Sequence, residues 1–310
     1  MIATIVGAAG YTGGELIRIL SAHPSISQVV PVSASSAGKA LTDIHPDLLM
    51  MAHHTFAEHV PDATDVLFLC QGHGASSQWL MTHPQPEDRL VVDLSADYRL
   101  DPSWTYGLPE ASRSVIRSSR RIANPGCFAT CIELGLLPLA RAGVLTSSPV
   151  VTALTGSTGA GQKPTETTHF SWRSDNISVY KQFDHQHLSE IRTLLGVDDI
   201  VFTPMRGNWT RGIIASIIVT IPDGTHVRDI LTSWYTDHPM TTVVDDLPDM
   251  KRVVGTSYAA IGVDQRGGTA LIVSVIDNLL KGASGQAVQN MNLAMGLDET
   301  AGLIHRGRAY

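Results

Sequence analysis

Three glycines at a spacing of three, Gly7-x-x-Gly10-x-x-Gly13, stand between a short apolar run over residues 3–6 and a helical pattern carried by Leu16, Ile17, Ile19 and Leu20. A strand that turns this tightly into a helix needs residues without Cβ where backbones approach. The helix N-terminus then presents N–H groups and positive potential to a phosphate. Two readings are open, a dinucleotide-binding fingerprint and a merely tight strand–helix turn. The flanking strand and helix supply the context that the fingerprint requires. On it, Gly7, Gly10, Tyr11, Thr12 and Gly13 are the candidate cofactor-binding residues. Further apolar strands at residues 29–33, 66–70, 90–94 and 121–123, separated by helical or turn-rich segments, predict an α/β fold of Rossmann type with a doubly wound parallel sheet.

Beyond a helix over residues 128–142 the texture changes. Long strand candidates follow at 150–154, 200–203, 213–221, 257–263 and 270–276, with helices only at 187–195 and 227–235. This predicts a second α+β domain with a large mixed or antiparallel sheet. A last helix, 286–295, is expected to return to the first domain. The expected division is 1–126 with 284–310 for the nucleotide domain and 127–283 for the catalytic and oligomerisation domain.

At 310 residues the chain suits two domains. A net charge of −7 argues against nucleic-acid or anionic-membrane partners. Three cysteines, Cys70, Cys127 and Cys131, form neither a disulfide framework nor a metal-spaced set and fit a reducing cytoplasm. No basic stretch precedes the first apolar residues, so no signal peptide is expected. No apolar run is long enough to span a bilayer.

The end of the second strand bears on which dinucleotide is used. A site for NAD places a carboxylate there for the ribose 2′-hydroxyl. Here the chain reads Ser33-Ala34-Ser35-Ser36-Ala37-Gly38-Lys39. With Ser33, Ser35, Ser36 and Lys39 and no carboxylate, the loop favours a 2′-phosphate, hence NADP; a solvated serine loop is the plainer alternative.

Cys127 lies in Asn124-Pro125-Gly126-Cys127-Phe128, where Pro125 and Gly126 break a strand and a helix begins. Unpaired N–H groups in a first helical turn stabilise a thiolate, and a thiolate there is a nucleophile for a carbonyl. A buried structural cysteine is the alternative. His185 and His187 precede Leu188-Ser189-Glu190, and either could carry a proton at neutral pH. With 13 histidines in the chain, surface or satisfied roles are the background. No four-ligand set accompanies them, so no metal is expected. Arg211 opens the most apolar strand and suits an oxyanion. The 155–161 loop, with Ser157 and Gly159, either offers backbone donors to an oxyanion or is a flexible turn.

Together these segments resemble the N-acetyl-γ-glutamyl-phosphate reductases, NADPH-dependent enzymes of arginine biosynthesis within the aspartate-semialdehyde dehydrogenase-like superfamily. The resemblance runs over nearly the whole chain. It rests on residues 7–16, Asp93-Leu94-Ser95-Ala96-Asp97-Tyr98-Arg99, Tyr106-Gly107-Leu108-Pro109-Glu110, Asn124-Pro125-Gly126-Cys127, the His185–Glu190 segment, Arg211-Gly212-Ile213 and residues 277–290. It implies Cys127 as nucleophile and His185 as acid/base, with His187, Glu190, Arg211, Ser157 and Gly159 around the substrate and Asn278 on the cofactor. The implied reaction converts an acyl phosphate to a semialdehyde through a thioester, in a cytoplasmic homodimer or homotetramer. Two departures stand out. Phe128-Ala129 replaces a common Tyr-Pro, and no arginine stands near Ala34-Ser35, which leaves the 2′-phosphate to Lys39 and the serines. The same chemistry on an aminoadipyl or aspartyl phosphate, or a non-catalytic dinucleotide sensor on the same fold, are the rival readings.

Overall fold

Six short strands paired throughout in parallel form the first sheet of the computed structural model, which describes residues 1–303 and Gly307. They are β1 (Ile2–Val6), β2 (Gln28–Val32), β3 (Val66–Leu69), β4 (Leu90–Asp93), β5 (Thr105–Tyr106) and β6 (Arg121–Ala123), in the order β2-β1-β3-β4-β6-β5. The reversal at β1/β3 is the topological switch of a doubly wound sheet. The connecting helices are α1 (Tyr11–Ser21), α2 (Leu41–Ile44), α3 (Ala75–Thr82) and α4 (Pro109–Ser118). Strands β3 and β4 are buried at every position, as a sheet covered on both faces requires. Helix α4 was not foreseen: its sequence is charged and serine-rich, and Ser112 interrupts its helical geometry.

Among the described residues the chain divides into two compact units, Met1–Pro125 with 283–303, and Gly126–Gly282 with Gly307. A buried polar network ties the end of β6 into the first unit. Asn290 Nδ2 donates to Gly107 O at 2.8 Å and to Asn124 Oδ1 at 3.1 Å, and Arg99 Nε donates to Asn124 O at 3.0 Å. Gly107 is obligatory there, because a Cβ would stand 2.5 Å from Asn290 Nδ2. Asp97 accepts from the N–H groups of Gly74 and Ser77 and so caps α3.

The second unit holds α5 (Cys127–Arg141), β7 (Val150–Thr155), α6 (Phe170–Arg173), β8 (Ser178–Val179), α7 (Leu188–Leu195), β9 (Val201–Arg206), β10 (Ile213–Thr220), α8 (Val227–Tyr235), β11 (Thr241–Val243), β12 (Ala259–Arg266) and β13 (Thr269–Ile276). Its seven strands form one mixed sheet, β11-β12-β13-β10-β7-β9-β8. The final helix, α9 (Gly285–Ala294), packs on α1, α4 and β4 of the first unit. Among the described residues no helix is long and apolar enough to cross a membrane.

Helix α5 lies across β10 and β13. The alternation of β10 turns Ile213, Ala215, Ile217 and Val219 inward. Gly135 lets the helix settle, since a Cβ there would meet Ile217 Cδ1 at 2.6 Å. The opposite face carries Ile214, Ile218, Val150, Leu154 and Leu271, of which Ile218 and Val150 are exposed. Within α5, Pro138 has no N–H to return to Leu134 O. The Tyr235 hydroxyl of α8 donates to that carbonyl instead. Tyr235→Phe therefore leaves a buried carbonyl unsatisfied and is expected to lower stability by about 1–3 kcal/mol. Urea unfolding would measure the loss, and the same substitution in a Pro138→Ala background should cost less. Equal losses in the two backgrounds would disprove the compensation.

Candidate active site

In the first unit the glycine loop has the local geometry that the sequence predicts. Gly7 adopts φ +79°, and a Cβ on it would lie 2.8 Å from Cys70 O. A Cβ on Gly13 would lie 2.5 Å from Ala8 O, which enforces the close packing of α1 on its own entry turn. At Gly10 a Cβ would meet nothing nearer than Gly7 O at 3.7 Å, so that side of the loop is open. Gly10 is the N-cap of α1, gives no side-chain cap, and no acidic residue stands in the first turn. Tyr11 and Thr12 open that turn. An uncapped N-terminus free of carboxylates behind a glycine turn fits a pyrophosphate.

After β2, Ser33 and Ser36 are buried, while Ser35 and Lys39 are exposed. Ser33 Oγ lies 3.4 Å from Ser35 Oγ, and the Ser36 N–H donates to Ser33 O. The outward-facing groups of this turn are thus Ser35 and Lys39.

In the second unit Cys127 is the first residue of α5, with Gly126 extended as its N-cap. The Gly126 N–H donates to Glu190 Oε2 at 3.0 Å, and Glu190 is buried in the first turn of α7. A Cβ on Gly126 would stand 2.3 Å from His187 Nε2, so the imidazole occupies the space beside the residue that precedes the thiol. His187 and His185 cross edge to face with centroids 4.6 Å apart, and Phe128 and Phe202 wall His185 at 5.3 and 5.4 Å. The His187 N–H donates to His185 Nδ1 at 3.2 Å. That bond makes Nδ1 an acceptor and leaves Nε2 as the proton-bearing nitrogen of the neutral ring. Burial pushes the His185 imidazole down to about 4, and the charges of Lys181 and Arg206 act in the same direction.

Gly282 lies on the other side of the nucleophile, where a Cβ would meet Cys127 Cβ at 2.9 Å. The Gly282 N–H donates to Asp277 O. The buried Asp277 carboxylate accepts from Leu279 N–H, Gly255 N–H and Arg211 NH2, the last at 3.2 Å, and the ion pair brings Arg211 Nε to 3.1 Å. Asn278 Oδ1 accepts from Gly212 N–H at 2.8 Å, and its Nδ2 donates to Thr158 Oγ1 at 3.0 Å. The residue expected on the cofactor thus lies in the second unit, where its amide joins Gly212 to the 156–161 loop.

That loop does not have the backbone donors expected of it. The N–H groups of Gly156, Ser157 and Thr158 donate to the carbonyls of Gly212, Trp209 and Thr210, and those of Gly159 and Gly161 close the loop on itself. Residues 209–212 at the entrance to β10 absorb them. Ser157 and Gly159 flank Thr158, which Asn278 holds, and the Ser157 hydroxyl is half-buried.

Tyr180 and Arg206 were not foreseen. The Arg206 guanidinium lies 4.5 Å over the Tyr180 ring, and that ring stands 5.8 Å from His185. Burial and then the charge of Cys127 raise the Tyr180 phenol above its ordinary range, which Arg206 opposes. The signal in the sequence was slight, since the two residues lie on β9 and on the turn after β8 with no fixed spacing. Among the described residues no group of three or more His, Cys, Asp or Glu is placed to hold a metal ion. Cys131 is fully buried, with its thiol pushed up to about 12 by burial.

Residues 2–119 match the family model described as the NAD binding domain of semialdehyde dehydrogenase, and residues 127–278 match the dimerisation domain of the same enzymes. The fold agrees. It is similar to aspartate semialdehyde dehydrogenase II of Vibrio cholerae complexed with ASA, with a TM-score of 0.75 and 18% identity over 95% of this chain and 98% of that one. The Candida albicans aspartate semialdehyde dehydrogenase with NADP gives 0.73 and 18% over the same shares. The class is thus that of two-domain, nicotinamide-dependent semialdehyde dehydrogenases. Curated relatives narrow it. N-acetyl-gamma-glutamyl-phosphate reductase of Parabacteroides distasonis is 48% identical over 99% of this chain and 98% of its own, and that of Bacteroides thetaiotaomicron is 47% identical over 99% of both. The chain belongs to the N-acetyl-γ-glutamyl-phosphate reductase family.

Two expectations follow from this geometry. Gly126→Ala must displace the His187 ring, and a misplacement of that size should reduce kcat/KM on the order of 100-fold. Steady-state kinetics would read it, and wild-type activity would refute the packing argument. The second concerns acid. Between pH 6.5 and 4 the unfolded chain binds a proton at His185 that the folded chain does not. Stability from this group is therefore complete above about 6.5 and falls on acidification, by about 3 kcal/mol in all. Denaturant unfolding at several pH values should show that loss in the wild type and not in His185→Gln; parallel curves would disprove it.

Proposed function

We propose that the chain reduces N-acetyl-L-glutamyl 5-phosphate to N-acetyl-L-glutamate 5-semialdehyde with NADPH, in arginine biosynthesis, through a thioester on Cys127. The observation that carries this reading is the placement of Cys127 as the first residue of α5, between Gly282 and the Gly126–Glu190 bond, beside the His185–His187 pair. Membership in the reductase family supplies the substrate class.

Cys127 attacks the γ-carbonyl carbon, helped by a helix N-terminus that stabilises negative charge on sulfur. The oxygen of the tetrahedral centre needs a donor, and the neutral Nε2–H of His185 is suited to it. An imidazole held near 4 remains neutral at physiological pH. It therefore acts as a hydrogen-bond donor to the oxyanion rather than as a cation that gives its proton away. NADPH, when bound, supplies the hydride that reduces the thioester to the aldehyde level. Collapse of the resulting oxyanion releases the semialdehyde and restores the thiolate, with His185 again the donor to its oxygen.

Arg211, held by Asp277, is assigned to the substrate carboxylate, with Ser157 and Gly159 as the loop wall beside it. His187 and Glu190 fix the entry to α5. The Gly7–Gly13 loop with Tyr11 and Thr12 takes the pyrophosphate, and Ser35 and Lys39 the 2′-phosphate, with Ser33 and Ser36 shaping their turn. Asn278 acts on the cofactor only through the loop that it holds. The domain division, 1–126 with 284–310 and 127–283, follows the same assignment.

The open apolar face around Ile218 and Val150 is the surface for a second copy of the chain. A homodimer is the assembly proposed, in the cytoplasm, with a homotetramer as a pair of such dimers.

The test runs the reaction in reverse. Enzyme, inorganic phosphate, NADP and N-acetylglutamate semialdehyde should give phosphate-dependent NADPH absorbance, and aspartate semialdehyde should give little. Cys127→Ala should abolish turnover, by at least about 1,000-fold, while retaining NADPH binding. An active Cys127→Ala variant would sink the scheme.

A further inference from the structure

Two arginines on the Tyr180 side of His185 have no part in the scheme so far. Arg206 ends β9, where its backbone pairs with Thr155 on one side and Ser178 on the other, so its Cα is fixed by the sheet. Arg173 is buried behind it. Its NH1 donates to Arg206 O at 2.8 Å and its NH2 to Ser178 Oγ at 2.9 Å. Burial and the like charge of Arg206 hold the Arg173 guanidinium below its ordinary value. Among the described residues neither arginine forms an ion pair with a carboxylate, and the buried Nε of Arg206 has no hydrogen-bond partner. Arg211, by contrast, is neutralised by Asp277 at 3.1 Å.

The segment between α6 and α7 adds Lys181, whose charge acts on His185 together with that of Arg206. Lys181 and Phe183 both take left-handed backbone conformations, with φ +45° and +61°. Such conformations in non-glycine residues concentrate where a site dictates them. Tyr180, which precedes Lys181, lies under Arg206 with its ring 5.8 Å from that of His185.

We propose that Arg206, backed by Arg173 and seated on Tyr180, is the subsite for the phosphoryl group of the acyl phosphate, and for inorganic phosphate in the reverse direction. Charge balance is the argument. A guanidinium paired with a carboxylate suits one more singly charged oxyanion, whereas a departing phosphate needs positive charge that nothing else neutralises. As the Cys127 sulfur bonds to the carbonyl carbon, the bond from that carbon to the bridging oxygen breaks. Its electron pair leaves on the phosphate, which then takes a proton from water. An unneutralised guanidinium held over Tyr180, on the His185 side of the site, stabilises that leaving charge.

The proposal rests on the reaction proposed above, so its test needs one readout that does not use that reaction. Alkylation of Cys127 by iodoacetamide, followed by mass spectrometry, is measured against increasing inorganic phosphate. Phosphate should protect the wild type, and in Arg206→Met the half-protecting concentration should rise at least about tenfold. Arg206→Lys, which keeps the charge on the ring and guards against a folding defect, should fall between them. In the reverse assay the KM for phosphate should rise by a similar factor, with the KM values for semialdehyde and NADP within about twofold of wild type.

Equal protection in all three proteins would overturn the subsite. A rise confined to the semialdehyde KM would move Arg206 to the carboxylate, and one confined to NADP would move it to the cofactor's phosphate; either result refutes the proposal. A chain without reductase activity whose thiol is still protected through Arg206 would overturn the reaction and leave the subsite standing.

Discussion

The hydrogen bond from the Gly126 N–H to the Glu190 carboxylate fixes the entry to α5, and the rest of the second-unit site is arranged around it. Glu190 stands in the first turn of α7, and Gly126 is the N-cap of α5, so one buried carboxylate serves the N-termini of two helices. Both macrodipoles favour negative charge at that point. The same bond explains why Gly126 has no side chain: with the carboxylate on its nitrogen and His187 over its α-carbon, no volume remains. Cys127 follows in chain order and inherits its position from that clamp.

Around this point the charges are sorted by how far they are neutralised. Arg211 is bound to Asp277, whose carboxylate also gathers the N–H groups of Gly255 and Leu279. Arg173 and Arg206 have no such partner among the described residues. His185 lies between aromatic walls and cations and is therefore held neutral. A site that sets a neutral donor and an unneutralised guanidinium on either side of Tyr180 is suited to receiving an anion. It is less suited to ordinary acid–base work, in which a cationic imidazole would supply the proton.

The sequence made much of this legible, and the limits are physical. The strand–glycine–helix pattern at residues 2–21 was readable because local chain geometry alone demands it. The helix beginning at Cys127 was readable from Pro125 and Gly126. Strands β10 and β13 were readable because long apolar runs have few other fates in a globular chain. What escaped depends on pairing between distant segments. The N–H groups of the 156–161 loop looked available until residues 209–212, some fifty positions on, supplied carbonyls for them. Tyr180 and Arg206 meet only because β8 pairs antiparallel to β9. A two-residue strand such as β8 leaves no periodic trace. The Tyr235 bond to Leu134 O was likewise hidden, although Pro138 marked the carbonyl that required a donor.

Helix α9 lies in the first unit, yet it follows the long Gly126–Gly282 stretch of the second in the chain. It fills the space between α1, α4 and β4, and every residue from Gly285 to Ala294 is buried. On the ribosome, therefore, the unit that emerges first is the last to receive its full cover. Gly126–Gly282 can assemble as an uninterrupted stretch while the glycine-loop unit waits, with part of its apolar surface open, for a segment synthesised about 160 residues later. The order of synthesis and the order of closure run in opposite directions, and the nascent first unit is the natural client for a chaperone.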